Sequence, residues 1–364
     1  MKLKLVRPQP LRFLRRNLAH PATWREHPLR TLAHWRHGFT SEHAALYGLG
    51  PSTYADYLPD YLQYRITLAT NRNVWPILHD KLLFDAFAAP HLPVSRLLGA
   101  ATAGAYLRVA HGFDVERWLQ ELDDGHDFVI KPLQGGGGDD IEFVRGVSAG
   151  VATLNGERMH HDALALRFRA LAHHGLYRRI AQHPGLAELH PRSTNTLRVH
   201  VYRDQVVGAR VFGAAVRVGV ARSAPVDNFN KGAISVDVDP ETGVTGRGVS
   251  RGAHGRREEH HVHPETGVAL SGLAVPYWAE ARAALLAFHE RFPAFDLVGW
   301  DVAITPDGFV IIEGNHNPQL RTTLVHRSLA TDPHFRAFCE ARRLLPRPHR
   351  RADGGRRPSS IGRV

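Results

Sequence analysis

Leu297-Val-Gly-Trp-Asp-Val-Ala-Ile-Thr305 and Phe309-Val-Ile-Ile-Glu313, separated by Pro306-Asp307-Gly308, decide how this sequence is read. Both runs are rich in β-branched and aromatic residues, and the break between them carries turn-forming residues, so the stretch predicts a β-hairpin. Proline first and glycine last suit a three-residue connection, a type I turn closed by a glycine in αL that forms a G1 bulge. Thr305 then pairs with Phe309, and counting back along both strands sets Asp301 directly across from Glu313. Asn315, two residues further, projects from the same side if the chain stays extended. Two carboxylates and an amide oxygen then share one patch. Such hard oxygen donors suit Mg²⁺, which takes octahedral contacts at roughly 2.0–2.1 Å completed by water and phosphate. A two-residue loop would instead oppose Asp301 to Ile312 and throw the carboxylates onto opposite faces, so the register is decisive. Val302, Ile304, Val310 and Ile312 make the other face apolar, fit to cover a core. On this pattern alone two readings stand: a metal-binding patch, or a charged face turned to solvent.

Upstream, Asp127-Phe-Val-Ile-Lys-Pro132 reads as a strand that runs into Leu133-Gln-Gly-Gly-Gly-Gly-Asp-Asp140, with Ile141-Glu-Phe-Val144 as the strand after it. Four glycines let backbone N–H groups approach phosphate oxygens, and Lys131 brings positive charge. No Gly-Lys-Ser/Thr opens a helix afterwards, so this is not a P-loop. A strand-borne lysine followed by a glycine loop and another strand has the form of a flap over a nucleotide; a flexible turn has the same glycines.

Elsewhere, residues 1–95 read as mostly helical, with Asp80 a candidate N-cap before Lys81-Leu-Leu-Phe84. Residues 160–182 read as helix, and 196–201, 206–218 and 233–238 as strands. Asp239-Pro-Glu-Thr-Gly243 and His263-Pro-Glu-Thr-Gly267 are two similar turns, proline fixing φ and glycine allowing φ > 0. A helix over about 276–291 precedes the hairpin. Helices mixed with hairpins, rather than regular βαβ repeats, predict an α+β fold.

At 364 residues and 43% hydrophobic, the chain is long enough for two lobes around a sizeable core. No apolar run approaches the roughly 18–20 residues needed to cross a bilayer, and the basic N-terminus lacks the apolar core of a secretory signal. Cys339 is the single cysteine, which excludes an internal disulfide and a thiolate metal cluster. A cytoplasmic protein is expected. The net charge of +11 gathers at the ends, in Arg12, Arg15 and Arg16 and from Arg342 to Arg363. Basic tails of this kind brush an anionic membrane surface weakly at most, and without a nucleic-acid module no specific nucleic-acid partner is expected. Of 46 lysines and arginines only five are lysine. Lys81, Lys131 and Lys231 stand beside motif-like residues, where a compact ammonium serves differently from a planar guanidinium. His260, His261 and His263 raise a zinc site, but Arg256 to Glu259 beside them favour a solvated loop.

Several ordered motifs together resemble one family. Tyr47-Gly-Leu49, Asp80-Lys-Leu-Leu-Phe84, Lys131-Pro-Leu-Gln-Gly-Gly-Gly-Gly138, Asn195-Thr-Leu-Arg-Val199, the two Pro-Glu-Thr-Gly turns, Gly299-Trp-Asp301 and Glu313-Gly-Asn315 are similar to the ATP-grasp superfamily. The likeness is greatest to its sugar-transfer-associated branch, related to α-L-glutamate ligase-like proteins, over roughly residues 35–345. It implies two α+β lobes gripping ATP: a helical N-terminal region over 1–95, a small lobe with the flap over 96–190, a large lobe with the metal site over 191–345, and a disordered basic tail over 346–364. It further implies that Lys81, Lys131, Gln134 and Gly135, Gly136, Gly137 and Gly138 contact ATP, with Gln182 and Asn230 lending hydrogen bonds. Asp301, Glu313 and Asn315 become ligands of Mg²⁺, with Mn²⁺ an alternative. Arg198, Arg217 and Lys231 face the triphosphate and the reacting acyl group. One departure stands out: Tyr177 and Arg178 occupy the crossover between lobes where acidic nucleoside contacts are expected.

The resemblance implies an ATP-dependent carboxylate–amine ligase acting through an acyl phosphate on a small-molecule or glycan-linked acceptor, in polysaccharide or envelope-glycan synthesis. A phosphotransferase on a hydroxyl acceptor and a non-catalytic ATP-binding accessory protein are the rival readings.

Overall fold

The computed structural model describes residues 28–252 and 255–345; the basic ends, including the tail over 346–364, lie outside the described residues. The described residues open with α1 (Pro28–Arg36), α2 (Ser41–Tyr47), a 3₁₀ turn at Tyr54–Asp56, α3 (Asp60–Ala69), α4 (Trp75–His79) and α5 (Lys81–Ala88). Asp80 caps α5, its carboxylate accepting from the N–H groups of Leu82 and Leu83.

A first antiparallel sheet follows, built from β1 (Gly99–Thr102), β2 (Tyr106–Arg108), β3 (Asp127–Pro132), β4 (Glu142–Ser148), β5 (Val151–Leu154), β6 (Glu157–His160) and β7 (Ala172–Arg178). Its order is β2-β1-β7-β3-β4-β5-β6. Two helices, α6 (Val115–Asp123) and α7 (His161–Ala170), cover one face. Trp118 and Leu122 from α6 meet Phe168 from α7 and Phe128 from β3 in a small core.

The helix expected over 160–182 is corrected here: it stops at Ala170, and the chain returns as β7 between β1 and β3. Neighbouring Leu176 and Tyr177 are buried on opposite faces of this central strand, in two different apolar clusters. A strand buried on both sides loses the polar alternation that marks it in a sequence. Gly175 is required there, since a Cβ would lie 2.6 Å from Leu97 Cδ1.

Beyond a short α8 (Pro184–Ala187) lies the second antiparallel sheet, of β8 (Thr196–Asp204), β9 (Gly208–Val218), β10 (Ile234–Val238), β11 (Thr245–Arg251), β12 (Arg257–His260), β13 (Leu297–Thr305) and β14 (Gly308–Asn315). Its order is β12-β11-β10-β9-β8-β13-β14. α9 (Trp278–Arg291) packs on one face, with α10 (Arg321–Leu324) and α11 (Pro333–Ala341) ending the described chain. Leu197, Val199 and Val201 of β8 and Val298, Trp300, Val302 and Ile304 of β13 point into the core shared with α9. By the two-residue period of a strand, Arg198, Arg217 and Asp301 fall on the other face. Among the described residues no helix is long and apolar enough to cross a membrane.

The hairpin turn departs from expectation. Thr305 pairs with Gly308, not Phe309, so the connection has two residues, Pro306 and Asp307. Asp301 nevertheless faces Glu313, because the register slips between Asp301 and Val302 and leaves Ile312 as an extra residue. A segment remote in sequence pairs beside this bulge. Ile311 donates to Pro93 O (2.7 Å) and its carbonyl accepts from Ser95 N (2.8 Å). The passage from the N-terminal helices to the first sheet thus runs along β14 and covers its open edge. Ile311, rather than Ile312, enters the core, and Ile312 turns to the cleft between the sheets.

Candidate active site

A cleft of about 420 Å³ separates the two sheets. Its large-lobe wall is the face that carries the charges. Asp301 and Arg198 are cross-strand partners, as are Thr196 and Arg217. Arg198 Nε donates to Asp301 Oδ1 at 2.6 Å, and its Nη1 to the Pro318 carbonyl at 2.9 Å. Arg217 Nη2 donates to Asp301 Oδ2 at 2.9 Å and also to Thr196 Oγ1. Asp301 is only 5% exposed. Burial pushes its carboxyl up, but the two guanidiniums more than reverse this and hold it below the usual carboxylate range.

Asp227 completes the cluster. It accepts from Thr196 N at 2.8 Å and lies 3.5 Å from Arg217 Nε. Burial dominates at this residue and raises its carboxyl, against the pull of Arg217 and Thr196. Behind the arginines, buried His200 bridges Thr323 Oγ1 (2.7 Å) and the Pro318 carbonyl (2.8 Å), so it fixes the loop that Arg198 touches. Burial pushes His200 down to about 3, hence it is neutral.

Glu313 and Asn315 line the same cleft as Asp301. Glu313 has Lys81 Nζ at 3.6 Å. Asn315 donates its amide nitrogen to the Gly299 carbonyl at 3.0 Å, which leaves its side-chain oxygen unpaired among the described residues. Two carboxylates and a free amide oxygen on one strand pair are an oxygen donor set that fits a hard divalent cation. No group of three or more His, Cys, Asp or Glu side chains suited to a metal occurs among the described residues. His263 is fully buried rather than solvated: one ring nitrogen donates to Gly219 O at 2.9 Å and the other accepts the Glu265 and Thr266 N–H groups. It shapes its turn as the Asp239 carboxylate shapes the other.

The small-lobe wall is different. Lys131 on β3 lies over the Tyr177 ring, Nζ 4.0 Å from the centroid, and has no hydrogen-bond or ion-pair partner among the described residues. Burial above all, then Lys81, brings its ammonium down to about 8, against the pull of Glu313 and Asp301. The glycine loop leaves β3 over this cation. Asp80, the cap of α5, also accepts from Gln134 Nε2 at 2.9 Å, and Lys81 donates its N–H to Leu133 O at 2.9 Å and its ammonium to Gly135 O at 3.1 Å. One cap thus ties the helical region to the loop and sets Lys81 beside Glu313.

Lys81, Lys131, Gln134, Gly135–Gly138, Arg198, Arg217, Asp301, Glu313 and Asn315 all line the cleft. Three expected site residues do not. Gln182 accepts from Asn195 N at 2.6 Å in the passage between lobes. Asn230 accepts from Arg321 at 2.9 Å, and Lys231 reaches Asp139 and the Gly138 carbonyl. At the crossover Arg178 lines the cleft with its charge paired to Glu121 (2.7 and 2.6 Å), so an acid from α6 meets the arginine that replaces the expected one. Thr196, Asp227 and Asn228 also line the cleft and were not anticipated. Their only signal was position: Thr196 precedes Arg198 by one strand period, and Asp227-Asn228 precedes Lys231.

The sequence matches the model of the sugar-transfer associated ATP-grasp family over residues 63–333. No curated protein matches it. Among solved structures, the D-cycloserine synthetase DcsG is 15% identical with a TM-score of 0.37, covering 79% of this chain and 79% of that one. The N5-carboxyaminoimidazole ribonucleotide synthetase purK, in its ADP complex, is 13% identical with a TM-score of 0.38, covering 73% and 52%. The D-alanine–D-alanine ligase from Bacillus anthracis is 10% identical with a TM-score of 0.39, covering 73% and 66%. The chain therefore spans about half of purK, and likenesses this faint decide nothing by themselves. The match over 63–333 is sufficient: the chain belongs to the sugar-transfer associated ATP-grasp family.

Proposed function

We propose that the protein is a Mg-ATP-dependent carboxylate–amine ligase whose acceptor is a small molecule or a glycan-linked amine of envelope or polysaccharide synthesis. Lys131 carries this reading. A half-buried ammonium with no hydrogen-bond or ion-pair partner among the described residues, next to a second lysine and followed by a glycine loop, gains from an anion that joins it. A polyphosphate is the ligand that three such features suit together.

Asp301, Glu313 and Asn315 are the residues to hold a magnesium ion, which when bound neutralises phosphate charge. Lys131 and Lys81 take phosphate oxygens, and the glycine loop encloses them. Arg217, held in line by Thr196 and Asp227, directs positive charge at the oxygens that gain charge during transfer. In the reaction a donor carboxylate oxygen attacks the γ-phosphorus, the bond to the bridging oxygen breaks and ADP leaves. An amine then attacks the acyl carbon, the C–N bond forms, phosphate departs and the amine proton passes to solvent. The chain's part is to align the groups and exclude water.

The test is to incubate wild type and Glu313→Ala with ATP, Mg²⁺ and pools of carboxylic acids and amines, following ADP and product mass. ADP with an amide product from wild type alone is expected. A phosphorylated acceptor would overturn the ligase reading in favour of phosphotransfer, and binding without ADP from any pool would overturn the enzyme reading.

A further inference from the structure

The glycine loop makes most of its polar contacts outside its own sheet. Gly137 O accepts from Asn228 Nδ2, Gly138 O accepts from Lys231 Nζ at 3.0 Å, and the same ammonium lies 2.7 Å from Asp139 Oδ1. Gly138, at φ +72°, sits so close to the large lobe that a Cβ would lie 3.0 Å from Val226 Cγ1. All of these contacts reach one short segment, 226–231, in the connection between β9 and β10.

That segment is rigidly mounted. Phe229 is buried in the cluster that joins α11 to the large sheet. Asn228 Oδ1 caps the short 3₁₀ turn by accepting from Asn230 N at 2.8 Å, so the same side chain holds the turn with its oxygen and the loop with its nitrogen. Asp227, the next residue back, is buried against Thr196 and Arg217. The glycine loop of one lobe is thus fastened to a segment of the other that buried residues anchor, and that segment also braces the arginine cluster. The charge on Lys231 is paired with Asp139, whereas Lys131 has no ion-pair partner among the described residues; the two lysines stand in different surroundings.

We propose that Asn228 and Lys231 form a strap that closes the glycine loop onto the large lobe, making them positioning residues rather than groups that touch the reacting atoms. This rests on the nucleotide reading of the cleft only for its consequence, slower release of nucleotide; the strap itself stands on the contacts above. Asp139 is part of it, as the carboxylate that Lys231 grips.

Two measurements test it. The first needs no ligand: the rate of cleavage within 135–140 by subtilisin, mapped by fragment mass, in wild type, Lys231→Met and Asn228→Ala. The strap predicts that each variant is cut about fivefold faster in this loop, with the double variant faster still, as expected for exposed contacts worth a factor of a few each. The second is the release rate of a fluorescent, non-hydrolysable ATP analogue with magnesium, chased by excess ATP. Lys231→Met should release it about fivefold faster, and the exchanged pair Lys231→Asp with Asp139→Lys should return both readouts to within about twofold of wild type. Thermal unfolding checks that each variant is folded. Unchanged cleavage of the loop would overturn the strap, and so would a loss of binding in Lys231→Met that the exchanged pair fails to restore, since that marks a direct phosphate contact. If wild type binds no analogue, the nucleotide reading fails while the cleavage experiment still decides the strap.

Discussion

The two walls of the cleft are charged in opposite manners. On the large lobe, Arg198, Arg217, Asp227 and Asp301 satisfy one another in a buried network carried by neighbouring strands. On the small lobe, Lys131 is half-buried over an aromatic ring and has no ion-pair partner among the described residues. The arginines of the first wall are held in place by these acids in advance, while the Asn315 side-chain oxygen beside them is unpaired among the described residues; the second wall is left short of an anion at Lys131. Preorganised charge on one side and unmet charge on the other is what a phosphate-handling cleft requires, because binding then supplies what the protein lacks without rearranging what it already has.

The hardest blow to this contrast is struck at Asp301. Asp301→Ala leaves two buried guanidiniums without their shared partner and is expected to destabilise the protein by about 3–5 kcal/mol in denaturant unfolding. Glu313→Ala, on the same strand pair but touching only Lys81 at 3.6 Å, should cost less than about 1 kcal/mol. Equal losses would mean that the large-lobe wall is not the self-contained network described.

Next comes Lys131→Met, which should act in opposite directions on the two properties. Nucleotide affinity measured by calorimetry falls on the order of 100-fold, while unfolding free energy rises by roughly 1–3 kcal/mol as a desolvated charge is removed. A stability loss would show that Lys131 is already paired.

The same lysine predicts a pH dependence. Burial lowers it from 10.5 to about 8, so below pH 8 it is charged both folded and unfolded and its desolvation cost is present in full. Above about 8 the folded protein releases the proton while the unfolded chain keeps it until about 10.5, so this residue's contribution to stability rises with pH across that window. Phosphate binding favours the charged form, so nucleotide affinity should weaken by up to about tenfold per pH unit from 8 towards 10. Binding measured at several pH values should show that slope in wild type and not in Lys131→Met.

The smallest effect concerns the crossover. The pair of Arg178 with Glu121 is half-exposed at the arginine, and Arg178→Ala should change stability by less than about 1 kcal/mol and nucleotide affinity only a few-fold. A larger fall in affinity would make Arg178 itself a nucleoside contact.

Some of this was legible before any coordinates. The Asp80 cap and the two Pro-Glu-Thr-Gly turns depend on contacts within a few residues, and the strand Asp127–Pro132 with its glycine loop shows in local pattern. The central strand β7 lacks the alternation that names a strand because Leu176 and Tyr177 are buried on its opposite faces. Gln182, Asn230 and Lys231, which the family resemblance brings to the site, do not line the cleft, and their partners Asn195, Arg321 and Asp139 lie on other elements.

The sequence alone determined which chemical groups are available: hard oxygen donors on a hairpin, a strand-borne lysine before four glycines, and arginines at strand spacing. The tertiary structure decided how they meet. Asp301 faces Glu313 through a bulge at Ile312 beside the segment that pairs with Ile311 from more than 200 positions upstream. Lys131 lacks an anion because the acids of the cleft are taken up mainly by arginines of the opposite sheet. A residue's type and its local period are written in its neighbours; its partner across a cleft is fixed only when distant segments pack, since burial and charge are properties of the assembled surroundings.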